Sequence, residues 1–273
     1  MEGCAVVYHC AATTHGSWAD YLAGTVQGTR NVLEAARAAR VKRFVYLSSL
    51  GVYPVTQFAP NDVVTEDAGL EPHPERRGRY TQSKVEAEKV ILSFREQWDL
   101  PIVILRPGTI YGPRGKVFFP RIGYALRNQV FVVLGRGRNI LPLAYIDNVI
   151  DALCLAGSRE RAPGHIYNVV DDELLTQREY LDELTRAARL SAVTLRVPWT
   201  LVSLLALALE AGATVTKRGP IFARYRLIAS TRGLRYDTSR AKEHLGWKPN
   251  VPLLEGLKRT FDWYLHERLS LTQ

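Results

Sequence analysis

The sequence predicts an α/β fold, a parallel sheet with helices on both faces, followed by a smaller and mostly helical lobe. Three observations carry that prediction. Short, unbroken apolar runs recur along the first two thirds of the chain, as strands buried on both faces require. Stretches with apolar residues at helical spacing separate those runs. From about Thr176 onward the runs give way to helical segments. With 273 residues, 47% hydrophobic and 23% charged, the chain suits one large domain or a domain with a second lobe. The same composition excludes a disordered tail, a collagen-like chain or a disulfide-rich miniprotein.

Val6, Val7 and Tyr8 open the first apolar run, and it ends in the small residues Ala11 and Ala12, a strand entering a tight loop. A helix is predicted from about Gly28 to Arg40, because Val32, Leu33, Ala36 and Ala39 share one face. Arg40 and Lys42 sit where cations favour a helix C-terminus. Phe44 to Leu47 reads as the next strand. A helix near Tyr80 to Trp98, a strand from Ile102 to Leu105, a helix near Phe118 to Asn128 and a strand around Ile166 to Val170 continue the alternation. No internal repeat is evident. Pro198 introduces the apolar run Trp199 to Leu209, ahead of Glu210. The run is too short to span a bilayer. It reads first as a buried helix, with a lid over an apolar substrate or a segment resting on a membrane surface as the alternatives.

The 36 basic and 27 acidic residues leave a formal charge of +9. The basic residues are spread from Arg30 to Arg268 and form no stripe, so nucleic acid is not an expected partner. Cys4, Cys10 and Cys154 make no C-x-x-C and have no histidine at ligand spacing. They read as core thiols, and no metal is predicted. Met1 to Cys10 lack the basic start and long apolar stretch of a secretory signal, so a cytoplasmic location is expected.

Tyr80 and Lys84 are four residues apart on a predicted helix, so both project from one face and the ammonium can lie near the phenol. A nearby cation favours phenolate and brings the group toward acid–base work near neutrality. The pair alone is weak, since the 13 tyrosines of this chain and its lysines would give roughly 0.4 such spacings by chance. Ser48 and Ser49 follow an apolar strand, at the carboxyl edge where open parallel sheets bind ligands. A hydroxyl there can polarise a carbonyl, although for a lone pair of serines turn-making or helix capping is the favoured explanation. Arg106 to Pro113 again follows a strand and, by itself, is a turn.

In order along the chain stand V-V-Y-H-C-A-A from Val6, G-T-R-N-V-L-E-A-A from Gly28, F-V-Y-L-S-S-L-G-V-Y from Phe44, Y-T-Q-S-K from Tyr80 and L-R-P-G-T-I-Y-G-P from Leu105. Y-I-D-N-V from Tyr145, Y-N-V-V-D from Tyr167 and L-G-W-K-P-N-V-P-L-L-E-G-L-K-R-T from Leu245 follow. Together they resemble the extended short-chain dehydrogenase/reductase superfamily, the NAD(P)-dependent epimerase, dehydratase and 3β-hydroxysteroid dehydrogenase group, over nearly the whole chain.

The resemblance implies a catalytic set of Ser49, Tyr80 and Lys84. Tyr80 would exchange a proton with the substrate oxygen. Lys84 would lower the Tyr80 pKa and hold the nicotinamide ribose, and Ser49 would hydrogen-bond the reacting oxygen. Ala11, Ala12 and Ser48 would line an NAD or NADP cofactor, with Pro107, Gly108 and Ile110 bordering the nicotinamide. Residues 1–175 would form a partial Rossmann-like NAD(P)-binding domain and 176–273 a substrate-binding lobe, the two free to interleave. In sugar-nucleotide members an Arg-Asp pair commonly precedes the Y-x-D-[DN] segment and engages phosphates. Here Leu141 and Pro142 stand in those places. With Asn148 and the apolar stretch after Pro198, this resembles the hydroxysteroid branch, whose small-molecule substrates are hydrophobic. A homodimer through the helices Gly28 to Arg40 and Tyr80 to Trp98 is the form the resemblance implies.

The resemblance also marks a departure. Members begin with a strand, a G-x-x-G-x-x-G turn and a helix whose N-terminus binds pyrophosphate. This sequence has no such turn, and Gly24 and Gly28 lack the required spacing. The expectation is a sheet lacking its first strands, with an exposed edge at Ala5 to Cys10. Two other readings therefore stand beside the dehydrogenase: a nucleotide-sugar epimerase or dehydratase, and an inactive interaction subunit.

Overall fold

The computed structural model describes residues 3–119, 121–126, 130–187, 193–215 and 223–270. β1 (Val6–His9) leads to α1 (Trp18–Tyr21), which runs through a π-helical turn (Leu22–Gln27) straight into α2 (Gly28–Ala38). The helix thus begins ten residues before the predicted start. Ser17 caps it reciprocally with Asp20, a capping box legible as S-x-x-D. Then come β2 (Arg43–Leu47), β3 (Val63–Val64), α3 (Pro74–Arg77), α4 (Arg79–Gln97), β4 (Ile102–Pro107) and β5 (Thr109–Tyr111). β6 (Tyr124–Leu126), β7 (Val130–Leu134), β8 (Ile140–Leu141), β9 (Leu143–Tyr145), α5 (Ile146–Ser158) and β10 (Ile166–Val169) follow. The remainder is β11 (Leu175–Thr176), α6 (Gln177–Ala187), β12 (Val193–Val197), α7 (Trp199–Val215), α8 (Ala223–Thr231), β13 (Arg235–Tyr236), α9 (Ser239–Leu245) and α10 (Leu253–Ser270).

The main sheet is parallel, in the order β1-β2-β4-β10, with Val7 beside Phe44, Val45 beside Val103 and Leu105 beside Tyr167. Its side chains sort by the two-residue period of a strand. Phe44, Tyr46, Ile102 and Ile104 face Leu33 and Ala36 of α2 and Ala87, Ile91 and Phe94 of α4. Val45, Val103 and Leu105 face Val149, Ala152 and Ala156 of α5 and Ala241, Leu245 and Trp247. Covering both faces explains why these strands read as unbroken apolar runs. β1 is the edge, with no other strand beyond it among the described residues, and Tyr8 is exposed there.

A second core mixes segments from either side of residue 175. Tyr111, Phe131, Leu143 and Tyr145 pack with Tyr180, Leu181, Leu253, Leu257 and Phe261. β7 pairs with β12, β8 with β11, and β3 with β13.

Three expectations need correction. The helix predicted near Phe118 to Asn128 is not formed: Tyr124–Leu126 is a strand antiparallel to β7. Pro120, Arg127 and Asn128 lie outside the described residues. Gly123, at φ +130°, holds a conformation no helix uses, and a Cβ there would lie 2.5 Å from the Val132 carbonyl oxygen. The cysteines are free but exposed, not core thiols. The run from Trp199 does form a helix, yet Leu201, Leu204, Leu205, Leu207 and Leu209 are all exposed rather than buried.

Candidate active site

Parallel strands end on one edge, and β1, β2 and β4 deliver the residues that follow them to one cleft there. It encloses about 800 Å³, within the range of small-molecule sites. Cys10 and Ala12 wall it after β1, Ser48 to Gly51 after β2, and Pro107 to Ile110 around the end of β4. α4 supplies Tyr80, Thr81 and Lys84, and α8 supplies Arg226, Leu227, Ala229 and Ser230. Of the cofactor-lining residues expected from sequence, only Ala11 is not on the wall, and it is exposed. Cys10 and Ala12 on either side form the wall instead, as neighbours along an extended chain point opposite ways.

Ser49, Tyr80 and Lys84 therefore meet at one cleft. Ser49 leaves β2 in an extended conformation and accepts a hydrogen bond from the Gly51 amide at 3.1 Å. Tyr80 stands one residue into α4 and is 39% exposed, so the phenol is reachable from the cleft. Burial of its ring raises the phenol pKa, the Tyr21 phenol adds to the rise, and a side-chain hydrogen bond with Ser49 pulls it down. Lys84, 3% exposed, donates from Nζ to the Leu47 carbonyl at 2.8 Å and lies 5.0 Å from the Tyr46 ring centroid. Desolvation pushes its pKa down to about 8, against the opposing pull of Cys10 and Glu88.

The phenol pKa thus moves up, not down as the Tyr-Lys spacing suggested. The ammonium is held by the Leu47 carbonyl and the Tyr46 face, and the groups acting on the phenol are Tyr21 and Ser49.

Beneath the cleft lies a buried ion pair that the sequence reading missed. The Ser48 hydroxyl donates to Glu88 Oε2, and Arg106 at the end of β4 donates to Glu88 Oε1, with its Nε at 3.0 Å. Glu88 is fully buried and Arg106 nearly so, with the guanidinium carbon 4.5 Å from the Tyr53 ring centroid. The signal was present: Tyr80, Lys84 and Glu88 fall at successive four-residue steps, on one helical face. Ser48 thus lines the cleft with its hydroxyl already committed.

Asn148, which the sequence reading used as a hint of substrate class, is fully buried and structural. Its Nδ2 donates to Asp171 Oδ1 at 2.8 Å, its Oδ1 accepts from the Val251 amide, and its carbonyl accepts from the Trp247 indole. Asp171 also accepts from the Tyr111 hydroxyl and the Tyr145 amide. Leu141 is buried in β8 and Pro142 lines the cleft. The cleft's cations come from elsewhere: Arg77, Arg121 and Arg226 join Lys84 on its wall, and among the described residues no Asp or Glu does so. Arg77 is neutralised by Glu71 at 3.1 Å.

The residues fit the nicotinamide-ribose end of a dinucleotide. A small residue, Ala12, an amine, Lys84, and the hydroxyls of Ser49 and Tyr80 border one roomy cleft at the strand ends.

Comparison with known proteins gives the family and the fold. The model of the NAD dependent epimerase/dehydratase family matches residues 1–169. A 3beta-hydroxysteroid-dehydrogenase/decarboxylase isoform 1 from Arabidopsis thaliana is 30% identical, over 97% of this chain and 63% of that protein. A decarboxylating sterol-4-alpha-carboxylate 3-dehydrogenase from Candida albicans is 28% identical, over 95% of this chain and 76% of that protein. The crystal structure of UDP-glucuronic acid 4-epimerase from Bacillus cereus, in complex with NAD, superposes with a TM-score of 0.72 at 22% identity. That superposition covers 97% of this chain and 75% of the other. The chain spans less than two thirds of the length of the Arabidopsis relative. By the family match over more than half its length, a stretch that holds every strand of the main sheet, the chain belongs to the NAD dependent epimerase/dehydratase family.

Proposed function

We propose that this chain interconverts a secondary alcohol and a ketone on a hydrophobic, sterol-like substrate with a nicotinamide dinucleotide as partner. The observation that carries the reading is the convergence of Ser49, Tyr80 and Lys84 on one cleft. A bound nicotinamide supplies the hydride acceptor or donor. Tyr80 gives the proton to the substrate oxygen in reduction and takes it back in oxidation. Ser49 hydrogen-bonds that oxygen and, through its bond to the phenol, favours phenolate. Lys84 offers donors to the ribose hydroxyls from a desolvated position. Leu50, Ile110, Phe119 and Leu227 supply apolar wall for a hydrophobic body. The named relatives from Arabidopsis thaliana and Candida albicans act on hydroxysteroids and sterol carboxylates, which supports the substrate class.

A second reading is kept by one observation. Arg121 and Arg226 line the cleft and form no ion pair among the described residues, so an anionic group has a place to sit. A nucleotide-sugar diphosphate would use it, and so would the carboxylate of a sterol acid. Incubation of the purified chain with NAD and, in parallel, 3β-hydroxysteroids, their 4-carboxylates and UDP-sugars separates the readings. Turnover of the steroids is the expected result. Turnover of UDP-sugars alone overturns the substrate class, and failure of any nicotinamide to bind in a fluorescence titration favours an inactive interaction subunit.

A further inference from the structure

α7 exposes more apolar surface than any solvated helix needs. Its covered positions Val202, Ala206 and Glu210 recur four apart, the seam on which it packs against α8. Glu210, the one charged residue of the helix, accepts from the Arg224 amide at 2.9 Å and so points to that seam. Leu201, Leu204, Leu205 and Leu209 stand on the opposite arc and are between 51% and 64% exposed. No polar side chain interrupts them. A contiguous patch of this kind marks a contact with an apolar partner.

The surrounding charge says which partner. Between Val193 and Arg232, with Arg226 on the cleft wall set aside, the described residues include three arginines, Arg196, Arg224 and Arg232, against the single carboxylate of Glu210. Arg196 precedes the helix and Arg224 lies beside its second half, both exposed. Leucines flanked by arginines match a bilayer with anionic headgroups, acyl chains taking the leucines and phosphates the guanidinium groups. At about 1.5 Å per residue the helix is about 25 Å long. No described helix is long and apolar enough to cross a membrane, so α7 would lie in the interface, parallel to the surface. We propose that α7 docks this chain on an anionic lipid surface through Leu201, Leu204, Leu205 and Leu209. α8, which packs against α7, also walls the cleft with Leu227 and Ala229, so the docked face adjoins the cleft. The docking does not depend on the substrate reading.

The test is co-flotation of the purified chain with phosphatidylcholine vesicles, with and without phosphatidylglycerol. The chain should rise with the anionic vesicles, and several-fold less of it should rise in high salt. Leu204→Glu/Leu205→Glu should cut the bound fraction at least about tenfold. Leu204→Ala/Leu205→Ala, which keeps good helix formers in place, should give an intermediate value. Failure of the wild-type chain to float, or equal flotation of the glutamate variant, overturns the proposal. If the wild-type chain dimerises, fails to float and becomes monomeric in the glutamate variant, a second copy covers the helix instead and the proposal is likewise overturned.

Discussion

Desolvation and the Tyr21 phenol raise the Tyr80 pKa, so in the proposed reaction the phenol holds its proton for donation near neutrality. Ketone reduction should therefore proceed at neutral pH, while alcohol oxidation, which needs phenolate, should rise with pH. Ser49→Ala removes the hydrogen bond that favours phenolate, so the alkaline limb of the oxidation profile should move to higher pH, with a loss of about 10-fold to 100-fold at neutral pH. pH–rate profiles of wild type and Ser49→Ala in both directions check this.

Lys84 has the opposite linkage. Its folded pKa is about 8 against an ordinary 10.5, so below pH 8 the fold carries the cost of a buried ammonium. As pH rises from about 8 to about 10.5 that cost disappears. The stability difference between wild type and Lys84→Met, read by denaturant titration, should shift in favour of wild type across that window. At Glu88, Glu88→Leu leaves Arg106 buried without its carboxylate and should cost about 3–5 kcal/mol in the same assay. Ser49, Tyr80 and Lys84 were legible through the family resemblance, since the four-residue spacing and the strand end are weak signals alone. Glu88 and Arg106 were not read, because an ion pair between a helix and a strand leaves no spacing that links its two halves.

At the scale of elements, the sheet was legible and the segments outside it less so. Phe44–Leu47 and Ile102–Leu105 announce themselves because both of their faces are covered. Phe118 to Asn128 carries apolar residues that imitate a helix, yet Gly123 and the pairing with β7 decide for a strand. The long N-terminal helix was read only from Gly28, where the apolar spacing begins, whereas a π-helical turn joins that stretch to α1. Exposure of α7 is a tertiary fact that its own sequence cannot carry, since a helix so rich in apolar residues is usually buried. The tightest element junction near the cleft is Gly108, between β4 and β5. Its amide donates to the Val169 carbonyl at 2.9 Å, and a Cβ there would lie 2.4 Å from the Pro142 carbonyl oxygen. Both neighbours are backbone. Gly108→Ala should cost about 1–3 kcal/mol and weaken nicotinamide binding, which thermal melts and fluorescence titration measure.

Over the whole molecule, the segments before and after residue 175 are not independent bodies. β11, α6 and α10 complete the core begun by β5, β7 and β9, while α9 returns to cover the main sheet. A chain ending at residue 175 should therefore show no cooperative thermal transition, whereas the 273-residue chain should melt as a unit. An independent melt of the shorter piece would show that the cores are separable. Function depends on the same arrangement, because the cleft takes walls from β1, β2, β4, α4 and α8 at once. The most direct measurement is the rate of NAD reduction by a 3β-hydroxysteroid in wild type and Tyr80→Phe, with nicotinamide affinity followed in parallel. The expected result is turnover by wild type and a fall on the order of 10³-fold in Tyr80→Phe, at unchanged nicotinamide affinity. Equal rates in the two proteins would contradict the role given to the Tyr80 hydroxyl.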